Sequence, residues 1–332
     1  MNAQILHTTL IRDRVIDAAG ETFTQDLPVN PLSGILVTMR ALINDANSVA
    51  GAFVAMFLAK YTSFRVTYRG ATIIQGNAAD LLVAMMLRER QVPGFGNVSR
   101  VNNDAISITF PLLFGRQLYN QLECFPATRR GDLVFEIIAA ADADELDNHT
   151  LQVETVELLD AKPSRFYKVT TIEQAMAAAG QNDIELPIGN KLAGALLRPF
   201  NFPDGATFAS SFGEIKLLVD NVEVIEAARN FETAHGMLAR RAPPFWDFLE
   251  HVHGGLFVTA VQGDSQNVSN IDALSKAYAY LDWDPLDDDA YMIDTRGAAH
   301  VQLRMNSDSA DAANTSRVLP IECVELQAPG QT

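Results

Sequence analysis

Two histidines two residues apart, His251 and His253 in the run EHVHGG, are the strongest metal-binding candidates in the chain. On a strand, side chains at i and i+2 point to one face, so the pair could share an ion. A further ligand is needed. Phe257 stands where a Glu four residues after the second His would supply it, and His300 is the sole later histidine. A loop or subunit-interface role is therefore expected for the pair. Five aspartates, Asp282, Asp284, Asp287, Asp288 and Asp289, offer the carboxylate oxygens that Ca²⁺ prefers, but without the glycine and closing Glu of an EF-hand loop. A solvated loop is expected there. Phe245, Trp246, Phe248, Tyr278, Tyr280 and Trp283 cluster in the same region and suit a packed loop core or an interface better than a glycan platform. Pro93-Gly94-Phe95-Gly96 follows a helical segment rather than a strand, so it is no phosphate loop, and neither G-x-S-x-G nor H-E-x-x-H occurs. Cys124 and Cys323 stand alone and read as reduced, buried thiols. No catalytic, cofactor-binding or metal-binding residue is assigned.

Composition narrows the function further. With 25 Lys+Arg against 41 Asp+Glu the formal charge is −16, the wrong sign for a protein that neutralises phosphates. The densest basic spots are Arg88–Arg90, Arg129–Arg130 and Arg240–Arg241, so direct nucleic-acid binding is not expected. A hydrophobic fraction of 48% and a charged fraction of 20% allow a sizeable core. Met1–Asp13 lacks the pattern of a signal peptide, and Val49–Lys60 is far shorter than the ~20 residues of a membrane-spanning helix. A soluble, unexported protein is expected. The sequons at Asn97, Asn148, Asn267 and Asn314 would matter only in a secretory pathway.

The elements that position these residues come in duplicate. Thr150–Leu158 (TLQVETVEL) matches Val318–Leu326 (VLPIECVEL) at five of nine positions, and both alternate as half-buried strands do. Asp26–Val37 (DLPVNPLSGILV) matches Glu185–Leu197 (ELPIGNKLAGALL), each with Leu-Pro, then Leu-x-Gly, then an apolar strand. Ser63–Gln75 and Gly213–Glu226 each read as two short strands about a tight turn, at Arg69-Gly70 or Asp220-Asn221. Each is followed by an amphipathic helix, Asn77–Arg90 or Ala227–Arg241. Thr128-Arg129-Arg130-Gly131 and Thr295-Arg296-Gly297 precede the strands Leu133–Ala139 and His300–Met305.

Many short strands, few helices and long connections point to sandwiches rather than a parallel sheet. The expected fold is all-β with a few flanking helices: two tandem eight-stranded jelly rolls. The linker at Asp160–Ser164 divides them into an N-terminal jelly roll at 1–162, with an N-terminal arm and an inserted helix at Ile43–Lys60, and a C-terminal one at 163–332. An excursion at Phe245–Asp289 is expected to belong to the second repeat alone.

In this organisation the chain resembles the double jelly-roll major capsid proteins of tailless icosahedral viruses, including membrane-containing bacteriophages and, more distantly, the adenovirus hexon. Leu27-Pro28 and Leu186-Pro187, the helix after each strand pair, and Val156–Leu158 with Val324–Leu326 carry the resemblance over nearly the whole chain, without a signature motif. It implies a structural protein, not an enzyme, that forms homotrimeric pseudo-hexagonal capsomers tiling an icosahedral shell. The implied location is the virion, after assembly in the host cytoplasm. The implied partners are copies of itself in the trimer and in neighbouring capsomers, penton and minor capsid proteins, and frequently an internal membrane. Ile5–Ile16 then reads as a first strand or docking arm rather than a lipid anchor. Phe53, Met56 and Phe57 would make subunit contacts or brace the barrel. Two other readings remain beside this one. A bicupin-like metalloenzyme shares the jelly roll but needs three convergent His/Glu ligands; a spike or lectin-type jelly roll would draw on the aromatic excursion.

Overall fold

A computed structural model describes residues 4–44, 57–91, 93–95, 103–142, 146–176, 179–201, 210–225, 227–241, 277–309 and 311–326. They form two compact units, one of residues 4–167 with 325–326, the other of residues 168–241 with 277–324.

The first unit contains β1 (Gln4–Val15), β2 (Glu21–Asp26), β3 (Leu32–Ile43), β4 (Tyr61–Tyr68), β5 (Ala71–Gly76), helix α1 (Ala78–Glu89), β6 (Gly94–Phe95), β7 (Ala105–Leu113), β8 (Leu133–Ala139) and β9 (Leu146–Leu159). One sheet runs β1-β9-β3-β7, with the short β6 at its edge, and the other runs β2-β8-β4-β5. Every second residue of β8 is buried, as alternation predicts for a sheet with one covered face. Val37, Met39, Phe64, Val66, Phe110, Phe135, Ile137 and Val153 are fully shielded. Burying each such side chain contributes ~1.5–3 kcal/mol. Helix α1 begins where Asn77 caps it, its side chain accepting from the Asp80 N–H at 2.8 Å. It is buried on nearly every face rather than amphipathic, because Leu81 to Leu87 are apolar around the whole circumference.

After β10 (Arg165–Thr170) the second unit follows: β11 (Ile172–Met176), β12 (Gly180–Glu185), β13 (Lys191–Arg198), β14 (Glu214–Val219), β15 (Val222–Glu223), β16 (Arg229–Asn230), helix α2 (Phe231–Arg241), β17 (Ala279–Asp282), β18 (Ile293–Asp294), β19 (Val301–Ser307) and β20 (Asp311–Glu325). Its sheets run β11-β20-β13-β17 and β12-β19-β14-β15. Leu192, Leu197, Phe212, Leu217, Trp283, Leu303 and Val318 share its core. Helix α2 buries Phe231, Ala234, Leu238 and Arg241 and exposes Glu232, Thr233, Gly236, Met237 and Arg240, the amphipathic spacing of the sequence. β17 lies inside the segment that reads from sequence as an excursion. It pairs with β13, Gly194 opposite Asp282, and so belongs to the sandwich.

The two units repeat one plan. Taking eight strands of each in chain order, both join first, eighth, third and sixth in one sheet, and second, seventh, fourth and fifth in the other. The turns Arg69-Gly70 and Asp220-Asn221 have positive φ at both residues, the geometry that matches the twist of a two-residue hairpin. The Leu-x-Gly step falls on a β-bulge in both units, between Leu32 and Gly34 and between Leu192 and Gly194. The reason for glycine is close approach: a Cβ on Gly194 would lie 2.7 Å from the Leu281 carbonyl oxygen, and one on Gly34 3.1 Å from that of Leu112.

The ladders correct one sequence match. Val153 pairs with Val37 and Val318 with Leu197, while Val156 pairs with Gly34 and Ile321 with Gly194. Val318 therefore corresponds to Val153, not Thr150, and the nine-residue identity is three residues out of register. The corrected register aligns Glu157 with Glu322, both buried. The Asn30 side chain donates to Glu157 Oε2 at 2.7 Å, and that of Asn190 to Glu322 Oε2 at 2.7 Å. The other partner comes from the first strand in one unit, Thr8 Oγ1 to Glu157 at 2.7 Å, and from the preceding β10 in the other, the Lys168 ammonium to Glu322 at 2.9 Å.

Two measurements test this packing. Gly194→Ala is expected to lower stability by ~1–3 kcal/mol. Gly236→Ala on α2, where a Cβ meets nothing within 4 Å, should be neutral or stabilising. Denaturant midpoints of the two variants distinguish them. Asn30→Ala and Asn190→Ala should each cost about 1–3 kcal/mol by stripping a donor from a buried carboxylate. Equal midpoints for wild type and both variants would refute that.

Candidate functional site

Several of the residues nominated by their chemistry are buried inside the two units. Tyr278, Tyr280 and Trp283 are buried, Trp283 fully so in the core of the second unit. Cys124 and Cys323 are buried free thiols, and burial pushes Cys124 up to about 12, far from a reactive thiolate. His251, His253, Phe245, Trp246 and Phe248 lie outside the described residues, as do Phe53 and Met56. Phe57 is described and buried, its ring stacked 5.7 Å from that of His149, which braces the first unit. Gly94-Phe95 forms β6 against Thr109 and Ile108 of β7. Ile5–Ile16 is mostly β1, an edge strand laid antiparallel on β9.

The acidic loop carries its own cation. Arg241, at the end of α2 and nearly buried, donates from Nε to Asp282 at 2.6 Å and from one NH2 group to Asp287 at 2.8 Å. Its other NH2 group reaches Asp282 and the Asp284 backbone carbonyl. The Asp284 carboxylate caps the loop by accepting from the Asp289 N–H at 3.0 Å. The guanidinium offers the planar fork that suits two carboxylates. Among the described residues no group of three His, Cys, Asp or Glu side chains is arranged to hold a metal ion.

The first unit uses buried charge in the same way. Glu123 receives Arg116 at 2.6 Å and Arg165 at 2.5 Å. Arg88 on α1 donates to the Leu113 and Gly115 carbonyls and lies 4.8 Å over the Tyr167 ring. At the opposite end, the Lys60 ammonium pairs with Asp142 at 2.5 Å and donates to the Asp17 carbonyl at 2.9 Å. His149 stands 3.8 Å from Asp142. Burial pushes His149 down to about 4; Asp142 opposes that shift and Lys60 reinforces it. The ring is neutral in the folded protein.

What the chain offers to other molecules lies on its surface. Val29, Tyr119 and Leu122 in the first unit, and Ile188, Leu286 and Tyr291 in the second, are exposed, Leu122 to 62% and Leu286 to 67%. All six lie in the connections from second to third and from sixth to seventh strand, at the same end of each sandwich. Ile5 and Leu6, at the start of β1, are exposed beside them. Ile5 and Leu6 belong to the segment expected to be a first strand or docking arm; the six loop residues carry no motif in the sequence. The available signal was apolar side chains isolated in polar loops, as Leu286 is between Pro285 and three aspartates. No helix among the described residues is long and apolar enough to cross a membrane.

The paired 1-8-3-6 and 2-7-4-5 sheets, present twice in one chain, decide the architecture. The fold is the double jelly roll. It is the fold of viral major capsid proteins. The STIV MCP superposes with a TM-score of 0.68 at 12% identity, over 97% of this chain and 97% of that one. The major capsid protein P2 from Bacteriophage PM2 superposes with 0.59 at 10% identity, over 98% of this chain and 100% of that one. A subunit of the PBCV-1 virus capsid gives 0.56 at 9% identity, over 97% and 94%. No protein-family model matches the sequence. No curated protein matches it either.

The His149 cluster gives this double jelly roll a defined acid response. A histidine whose folded value lies below its unfolded value of ~6.5 binds fewer protons in the fold. Its contribution is complete above about 6.5 and is lost as pH falls toward 4. Denaturant titrations between pH 7 and 4 should show a loss of about 1–3 kcal/mol that is reduced in His149→Gln. The same slope in both proteins would remove His149 from the account.

Proposed function

We propose that the chain is the major capsid protein of an icosahedral virion and acts by assembly, without catalytic turnover. The observation that carries this reading is the extent of the match. The superposition on the STIV MCP extends over 97% of this chain and 97% of that one, so both sandwiches are matched. Two similar sandwiches per chain also suit a hexagonal lattice: three copies on a three-fold axis present six alternating units, and closed cyclic symmetry prevents open-ended growth within the capsomer.

In this reading residues 1–162 and 163–332 are the two building blocks of a homotrimeric, pseudo-hexagonal capsomer. Neighbouring capsomers, penton and minor capsid proteins are its partners, and a lipid layer beneath the shell is consistent with the family the chain resembles. Assembly takes place in the host cytoplasm and the product is the virion shell. A formal charge of −16 keeps an abundant subunit soluble before assembly and disfavours direct contact with the genome.

The test is the native mass of the untagged chain by light scattering after size exclusion, with negative-stain images of the same fractions. A particle of three times 36.3 kDa, or hexagonal sheets and shells, is expected. A monomer with a stoichiometric metal would replace this reading with a bicupin-like enzyme. A non-assembling species that binds glycans would replace it with a lectin or spike.

A further inference from the structure

The same connection carries opposite charge in the two units. Between β7 and β8 of the first unit, residues 114–132, Arg116 is held by Glu123, and Asp132 is held by Arg69 from the β4–β5 turn. Arg129 and Arg130 are exposed and make no ion pair among the described residues. Between β17 and β19 of the second unit, residues 283–300, Arg296 pairs with Asp294, and Arg241 answers Asp282 and Asp287. Asp288, exposed, and Asp289, half-buried, add further negative charge, whereas Asp284 is buried. Each connection also exposes large apolar side chains, Tyr119 and Leu122 in one, Leu286 and Tyr291 in the other.

We infer that these two loops form one interface between copies: the basic, apolar end of the first unit of one copy docks on the acidic, apolar end of the second unit of its neighbour. The inference rests on the trimeric reading above, in which first and second units alternate around a ring. Opposite charge on the corresponding connections of the two sandwiches selects the alternating neighbour over a like one. Like-charge juxtaposition penalises the wrong pairing, which is how charge sets partner and register. Tyrosine, leucine and arginine supply the mixed composition of such contacts. An anionic lipid surface or nucleic acid fits less well, because it would attract the arginines and be repelled by the aspartates.

The experiment uses the full chain and three variants: Arg129→Glu with Arg130→Glu, Asp288→Arg with Asp289→Arg, and all four together. Each double reversal is expected to reduce the native mass from three subunits to one, or to raise the concentration at which trimers dissociate at least tenfold. The quadruple exchange should restore the trimer. Circular dichroism and the thermal midpoint of each variant verify folding. Trimers unaffected by either reversal would overturn the inference while leaving the capsid reading intact. Loss of trimer without recovery in the quadruple exchange would overturn the proposed pairing. A wild-type chain that never forms trimers would remove the capsid reading and this interface with it.

Discussion

A carboxylate buried in a β-sandwich must be given donors, because leaving it bare would cost several kcal/mol. The chain meets that demand twice with the same parts. Glu157 and Glu322 sit on the last strand of each sandwich, and each is held by an asparagine just ahead of the third strand and by a side chain of the first strand or its approach. Three elements distant in sequence are thereby fixed on one side chain. A one-residue slip of the last strand would turn the glutamate to the opposite face and strip it of both partners. The β-bulge at Leu32–Gly34 or Leu192–Gly194 lies beside this point, so bulge and clasp set the register together.

The two halves have diverged in the charge around that shared core. Thr8 is a neutral donor to Glu157, whereas Lys168 brings a cation to Glu322. Helix α1 is buried nearly all round and sends Arg88 to backbone carbonyls; α2 keeps a solvent face and sends Arg241 to aspartates. The plan of the sandwich depends on backbone pairing and apolar alternation. The loops at its ends are free to vary in sign.

How much of this was legible from residues follows from the physics of each signal. Leu133–Ala139 could be read from its β-branched and aromatic residues, and the turns at Arg69-Gly70 and Asp220-Asn221 because few residues accept positive φ. β17 was hidden, since its first three residues, Ala279, Tyr280 and Leu281, are buried on both faces and show no alternation. Edge strand β1 was ambiguous for the opposite reason, with most of its residues exposed. The match of Thr150–Leu158 to Val318–Leu326 slipped by three because identity in a short run ignores which face is covered. It set buried Glu157 against exposed Glu325. The acidic loop read as solvated because its cation, Arg241, stands 41 residues upstream of Asp282. No local pattern links them.

The buried polar groups also bear on how the chain meets its neighbours. Glu123 with its two arginines, Arg88 on the Leu113 and Gly115 carbonyls, and Glu157 on Asn30 all hold the connections at one end of the first unit. Glu322 on Asn190, and Arg241 on Asp282 and Asp287, do so in the second. These are the loops that expose Tyr119, Leu122, Leu286 and Tyr291. Ordering a loop on binding opposes association by about 0.5–1.5 kcal/mol for each side chain immobilised, so loops already fixed from beneath lose less. Charged side chains that resemble catalytic or metal-binding chemistry in the sequence thus have a different use in the fold. They stiffen, from inside each sandwich, the surfaces that its loops present.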